Sequence, residues 1–227
     1  MPEPTKKVIC PNEPKEYLNN FIILLLLCRT KIFFMKPFEV KKLITIGTFA
    51  TVAAGWSAVN AALPVVGPLL ADTAGLTLLT IAMAYSLTLL YDKSPEKATL
   101  AAFVSVAVGA VVGNLALKCG ASLIPIFGSY YNATSTFLIH SATGWALCEI
   151  YESGKSPSDL SSSEIRTIIK NNKRKAEEEE KNYEDLKKNL SESDKEKEKN
   201  LREKLKDNFL SLEEKTKIFD EIIALYS

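Results

Sequence analysis

Four long uncharged runs fill the middle of the chain, and charged residues mark their limits. Leu43–Ala71 stops at Asp72, Thr73–Tyr91 lies between Asp72 and Asp92, Ala98–Leu117 lies between Lys97 and Lys118, and Cys119–Cys148 stops at Glu149. Runs of this length predict helices, at about residues 43–62, 70–91, 97–119 and 129–152. The pattern also repeats. Leu63-Pro64-Val65-Val66-Gly67 and Ile124-Pro125-Ile126-Phe127-Gly128 each sit between two of the runs, and one offset of 61 carries Pro64 onto Pro125, Gly67 onto Gly128 and Thr73 onto Thr134. The second runs close on Tyr91-Asp92-Lys93-Ser94 and on Tyr151-Glu152-Ser153. Self-similarity at a fixed offset predicts two copies of one unit, here helix, Pro/Gly turn, helix.

Beyond Ser156-Pro157-Ser158 the pattern changes. Ile165, Ile169, Asn172, Ala176, Glu179, Tyr183, Leu186 and Leu190 follow one another at spacings of three and four, a heptad seam with a polar and a charged interruption. Ser161 to Ser163 offer its N-cap. Ser193-x-x-Glu196 is a capping-box pattern for a next helix with Leu201, Leu205 and Phe209, and Ser211-x-x-Glu214 for a last one with Ile218, Phe219, Ile222, Ile223 and Leu225. The expected fold class is all-α: two helix-turn-helix hairpins form a hydrophobic four-helix unit over residues 43–155, and residues 156–227 form a charged helical hairpin or coiled-coil tail.

The amino-terminal part divides in two. Residues 1–16, with Pro2, Pro4, Pro11 and Pro14, read as disordered. Residues 17–42 read as an amphipathic, interfacial helix. Its apolar run Phe21–Cys28 is too short to span a bilayer, and Lys31, Lys36, Lys41 and Lys42 alternate with aromatic residues as they would beside an anionic leaflet. A basic start and a small-residue cleavage site are missing, so no signal peptide is expected.

Charge separates the same parts. Of 28 basic and 27 acidic residues, 12 and 9 precede Ser156, so a mildly basic apolar part is joined to a highly charged, balanced tail. Lys173-Arg174-Lys175 runs straight into Glu177–Glu180, which cancels the field a phosphate backbone needs, and nucleic acid is not an expected partner. Four spans would place Lys36, Lys41, Lys42, the Asp92–Lys97 loop and Lys155 on one side, as the positive-inside rule asks of cytoplasmic termini. Trp56, Tyr85, Tyr91, Tyr130, Tyr131, Trp145 and Tyr151 are candidate interface anchors, and Gly109-x-x-x-Gly113 is a small-residue face for close helix approach. A membrane location, multi-pass or hairpin-inserted with both termini cytoplasmic, is therefore the expectation. The competing reading is a helical bundle packed in water.

Catalytic chemistry is hard to find. Walker A, GxGxxG, GxSxG and HExxH patterns are missing from the sequence. Cys10, Cys28, Cys119 and Cys148 are too far apart for a CxxC or zinc pattern, and the compartment is expected to be reducing. His140, the single histidine, stands in an apolar helix and reads as a neutral packing residue; Asp72 reads as a charge favoured at a helix start. The expectation is no enzyme activity, no catalytic or metal-binding residues and no cofactor.

On Pro64 and Asp72 after an Ala-rich helix, Met83 and Tyr91, then Leu123-Ile124-Pro125-x-x-Gly128 and Gly144 leading into Tyr151-Glu152-Ser153-Gly154, the stretch of about 43–155 resembles the DUF697 family. This is the hydrophobic domain of YcjF-type inner-membrane proteins, attached to or encoded with dynamin-like and Era-like GTPases. The chain departs from it by carrying His140 where a Thr is usual and a charged tail in place of a GTPase domain. The resemblance implies membrane association and a GTPase partner. Together these readings point to a non-enzymatic membrane anchor or scaffold that recruits a partner, a GTPase by the resemblance, through its cytosolic tail, with homo-oligomerisation as a further option. The alternative is a soluble effector or toxin-like protein whose apolar hairpins insert into membranes on demand.

Overall fold

The computed structural model describes the backbone of residues 35–61, 68–118, 125–207 and 209–226, and side chains there except at 59–61, 68–74, 97, 108, 110–118 and 125–132. The described chain is all-α. Four long helices, α1 (Pro37–Ala61), α2 (Pro68–Leu90), α3 (Lys97–Lys118) and α4 (Pro125–Glu152), are followed by a 3₁₀ turn (Pro157–Asp159). Four shorter ones complete it: α5 (Ser162–Asn171), α6 (Lys173–Lys188), α7 (Glu192–Leu205) and α8 (Leu212–Ala224). The expectations for residues 1–16, for most of residues 17–42 and for the first Pro-x-x-Gly turn at 64–67 lie outside the described residues.

Helix ends follow local chemistry. α1 begins at Pro37, ahead of its apolar run, so residues 37–42 belong to it rather than to a separate interfacial helix. α4 begins at Pro125, which places the second Pro-x-x-Gly inside its first turn instead of in a connection. Proline at the first helical position gives up no hydrogen bond and has its φ already set. α2 and α4 then close on the same device. Asp92 (φ 53°) and Gly154 (φ 77°) occupy the left-handed conformation. Asp92 N donates to Leu89 O and Lys93 N to Thr88 O; Gly154 N donates to Tyr151 O and Lys155 N to Ile150 O. These are Schellman ends, in which the last carbonyls find donors.

In the tail, Ser161 and Ser211 make full capping boxes with Glu164 and Glu214. The cap of α7 is Ser191, which accepts from Asp194 N, two residues before the expected Ser193. The heptad seam is broken at Asn172 into α5 and α6. Phe209 falls beyond the end of α7 and is 98% exposed, whereas Leu201 and Leu205 are buried as expected.

The core is organised around α1. Lys42 to Ala50 are buried without interruption, which for a helix means neighbours on every side. Those neighbours are α2, α4, α6, α7 and α8, with α4 the most extensive. α4 is enclosed in the same way from Ile139 to Cys148. Among the described residues α3 packs on α2, α5 and the 3₁₀ turn. Four threonine hydroxyls inside this core are satisfied along their own helices: Thr45, Thr80, Thr88 and Thr143 donate to the carbonyls of Lys41, Leu76, Ala84 and Ile139.

Charged and apolar parts are packed together, since Pro37–Ser227 is one unit of contacts. The tail seam faces α1 and α4, with Ile165, Ile169, Asn172, Ala176, Tyr183 and Leu190 buried. Tyr183 lies flat over Gly47, where a β-carbon would come within 2.5 Å of its ring. Its hydroxyl meets Thr48 Oγ1 at 3.2 Å. Phe219 of α8 stacks on Phe49 of α1 with centroids 5.2 Å apart.

Two features expected of membrane helices are not found among the described residues. Among the described residues, no helix is long and apolar enough to cross a membrane. Lys41, Lys42 and several Thr dilute α1, and Ser, Thr, His140 and Glu149 dilute α4. Trp145 and Tyr151 are buried against protein rather than set at an interface. A β-carbon on Gly109 would meet nothing, whereas one on Gly144 would come within 2.8 Å of Ile46, so α1 and α4 approach closely there; the surroundings of Gly113 lie outside the described residues.

Two glycines give a direct check. Gly47→Ala forces Tyr183 aside and is expected to destabilise by about 1–3 kcal/mol. Gly109→Ala fills open space in a helix interior and is expected to stabilise by about 0.5–1 kcal/mol. Urea unfolding of both variants, followed by circular dichroism, compares the signs; destabilisation by both would contradict this packing.

Candidate functional site

The ends of α1, α2 and α4 converge on a cluster of polar and aromatic side chains, the best-defined chemical feature among the described residues. Lys42 is its centre. The side chain is 2% exposed, and its ammonium donates to Glu152 Oε1 at 2.6 Å and pairs with Glu39 Oε2 at 2.7 Å. Tyr91 donates to the same Glu152 oxygen at 2.6 Å. Tyr151 OH meets Thr88 Oγ1 at 2.8 Å. The rings form a sleeve: Tyr91 packs edge-on to Phe38 and tilted against Tyr151, with centroids 5.1 and 5.3 Å away. The Lys42 ammonium lies 5.2 Å from the centre of Phe38 and 5.9 Å from that of Trp145.

α5 and α6 close the cluster from the tail side. Lys175 lies over Trp145 at 4.2 Å. Asn172, at the break between α5 and α6, donates through Nδ2 to Glu149 Oε2 at 2.6 Å and to Ile168 O at 3.0 Å. The polar interruption of the heptad seam is thus a contact with α4.

Burial and ion pairing together set the charge states of the cluster. Burial opposes charge on Lys42, but Glu152 and Glu39 outweigh it and hold the ammonium above its ordinary range. Burial pushes Glu152 up, whereas hydrogen bonds from Lys42 and Tyr91 draw it down further, so it stays ionised. Burial raises Tyr91 and Tyr151, and pushes the Cys148 thiol up to about 12. Cys148 is a free, buried thiol and is not a thiolate near neutral pH. The cluster therefore joins three helix ends through a paired ammonium and carboxylate and through un-ionised phenols.

The positive-inside expectation counted Lys42 among free flanking cations; in the structure its charge is neutralised by two carboxylates. Sequence reasoning missed this pairing because Lys42 and Glu152 lie 110 residues apart. One signal was present. Tyr91 and Glu152 are separated by 61 residues, the offset of the repeat, so equivalent ends of the two copies touch.

His140 is fully enclosed away from this cluster. Its Nδ1 lies 2.9 Å from Thr136 O, and Nε2 has no well-formed hydrogen bond. Burial lowers its pKa against the opposing pull of the Thr136 and Leu76 carbonyls, so it is neutral. The side chain of Asp72 is outside the described residues. Among the described residues no group of His, Cys, Asp and Glu could hold a metal ion.

Two outcomes test these assignments. Lys42→Met is expected to destabilise by about 1–3 kcal/mol, because Glu152 and Tyr91 lose their cation, and Tyr91→Phe by about 1 kcal/mol. Urea midpoints settle the order, and a larger loss for Tyr91→Phe would contradict the central place of Lys42. Because the folded pKa of His140 is lowered, the unfolded chain takes up the proton first. Stability should therefore fall as pH drops below about 6.5. His140→Gln should flatten that slope between pH 7 and 5, and an unchanged slope would exclude the assignment. Glu152, with its folded pKa lowered, adds a second loss as pH falls below 4.5.

No family model matches this chain, and no curated protein or solved structure is similar to it.

Proposed function

We propose that the chain is a non-enzymatic, membrane-directed protein that keeps its apolar helices inside a coat of charged amphipathic helices and delivers them to lipid when the coat opens. One observation carries this reading. α1, without a polar face of its own, is enclosed by α2 and α4 and by the tail helices α6, α7 and α8. A helix apolar all round is stable either in a protein core or in lipid, and the coat is what separates the two. Insertion here means apolar surface entering from one side, as a helix hairpin dips, and needs no spanning helix.

Fully exposed Phe209, in the α7–α8 connection, supplies a first contact. An exposed aromatic ring in a stretch of sequence that also carries Lys204, Lys206 and Asp207 suits the boundary between headgroups and acyl chains. The alternative, a permanent anchor whose tail recruits a GTPase, has less support, because the buried seams of α5, α6 and α8 face α1 to α4 and leave mostly charged faces for a partner.

Dye-filled liposomes test the proposal. The purified chain is expected to bind vesicles and release dye. Phe219→Ala, which removes the stack on Phe49 and loosens the coat, should accelerate release. Phe209→Ser should weaken vesicle binding about tenfold at unchanged stability, the effect of about 1.4 kcal/mol. Vesicles that remain sealed and unbound with wild type and Phe219→Ala would refute the proposal.

A further inference from the structure

A groove of about 470 Å³ opens between α1, α6 and α7. Its floor is the apolar helix itself, at Thr51, Val52 and Gly55. Its walls are cationic: Lys187 and Lys188 from α6, Lys195, Lys199 and Arg202 from α7, and Lys206 just beyond. Three carboxylates share the lining, Glu184, Glu198 and Glu203. Glu198 is already engaged, since it is buried, pairs with Arg202 and accepts from Tyr226 OH at 2.6 Å.

We infer that this groove binds the phosphate headgroup of an anionic phospholipid, with the first carbons of its apolar part against Val52 and Gly55. Each lining cation has a carboxylate of its own stretch of chain within 4 Å. Asp185, Glu192 and Glu196 lie outside the lining, however, so within the groove cations outnumber carboxylates two to one and favour an anion. The carboxylates that remain at the rim suit a compact anion and repel a long polyanion. The lysines are available for exchange. Lys187, Lys195 and Lys206 lean on Glu184, Glu192 and Glu203 of the same stretch of chain, at 3.0, 2.7 and 2.7 Å. Lys187 and Lys206 are half-buried while their carboxylates are exposed; intrahelical pairs of this kind contribute little, and a phosphate can accept from more than one ammonium group.

Gly55 gives the floor its depth. A β-carbon there would meet only the Lys206 ammonium, at 4.0 Å, so space runs from the apolar helix to the charged rim without obstruction. The volume is within the range of sites that enclose small ligands. A free phosphate ester offers the same charge but would leave that floor in water. The inference deepens the membrane-directed reading by naming a lipid class, and rests on that reading for its consequence in the cell.

Calorimetric titration of the full chain with dioctanoyl phosphatidic acid, kept below its micelle concentration, reads the site without a bilayer. Dioctanoyl phosphatidylcholine and glycerol 3-phosphate are expected to bind at least about tenfold more weakly. The combined Lys187→Gln, Lys195→Gln and Lys206→Gln variant should lose about tenfold or more at an unchanged melting temperature. Gly55→Leu should weaken the dioctanoyl lipid and leave glycerol 3-phosphate unaffected. Glycerol 3-phosphate binding as tightly as the lipid would make this a site for free phosphate esters and overturn the lipid assignment. Equal binding of the two lipids, no binding at all, or affinity unmoved by the triple substitution would overturn the site. Because vesicle leakage is not part of this readout, failure here is distinct from failure of the insertion proposal.

Discussion

The enclosure of α1 is the constraint on which the rest of the structure depends. From Lys42 to Ala50 this helix has no side that water reaches, and two of its neighbours, α2 and α4, are themselves apolar. Three amphipathic helices from the other end of the chain complete the enclosure. Their charged faces give the unit a polar exterior, and their thin apolar seams meet α1 and its partners. Fully burying a Leu, Ile or Phe stabilises by about 1.5–3 kcal/mol. Leu43, Ile44, Ile46 and Phe49 are each buried to that degree along this one segment. Lys42 fits the same rule at the segment's edge, where a buried cation is tolerated because two carboxylates accept from it.

How much of this was legible follows the range of each interaction. Capping by Ser161 and Ser211 is a matter of three residues, and so could be read from the sequence. The all-helical class was legible for the same reason: run length and spacing are local properties. The seam residues Ile165, Ile169 and Tyr183 could be named as buried, but not what would cover them. Their partners are far away in the chain, as with Tyr183 and Thr48, 135 residues apart. Uncharged run length leaves the surroundings of a helix open for a related reason. A bilayer and a protein coat both satisfy an apolar helix, and the sequence pattern of the helix alone does not distinguish them.

Glycine shows the same limit. A small-xxx-small spacing drew attention to Gly109, whose surroundings are open, while Gly47 and Gly144 make the close approaches. The spacing rule describes one helix, whereas close approach needs a bulky partner opposite. At Gly47 that partner is Tyr183 of the tail, and at Gly144 it is Ile46 of α1. The backbone of α1 is thus brought near both its apolar neighbour and its charged coat.

The contacts between coat and core differ in kind from those within the core. α1 and α4 meet through consecutive buried apolar residues, but α5 and α6 rest on the core through isolated anchors and polar bonds such as Asn172–Glu149 and Tyr183–Thr48. Polar bonds of this sort have a ready substitute in water, and their net contribution is about 1 kcal/mol each. The same helices also bury Ile165, Ile169 and Tyr183 against the core, so this boundary combines polar bonds with apolar anchors. The groove lined by Lys187 and Lys195 lies along this boundary, with α1 as its floor. A phosphate gathered there would exchange intrahelical ion pairs of α6 and α7 for contacts with the ligand, at the place where the coat meets the helix it covers. On the proposed reading, recognition of lipid and release of apolar surface would be two consequences of one boundary.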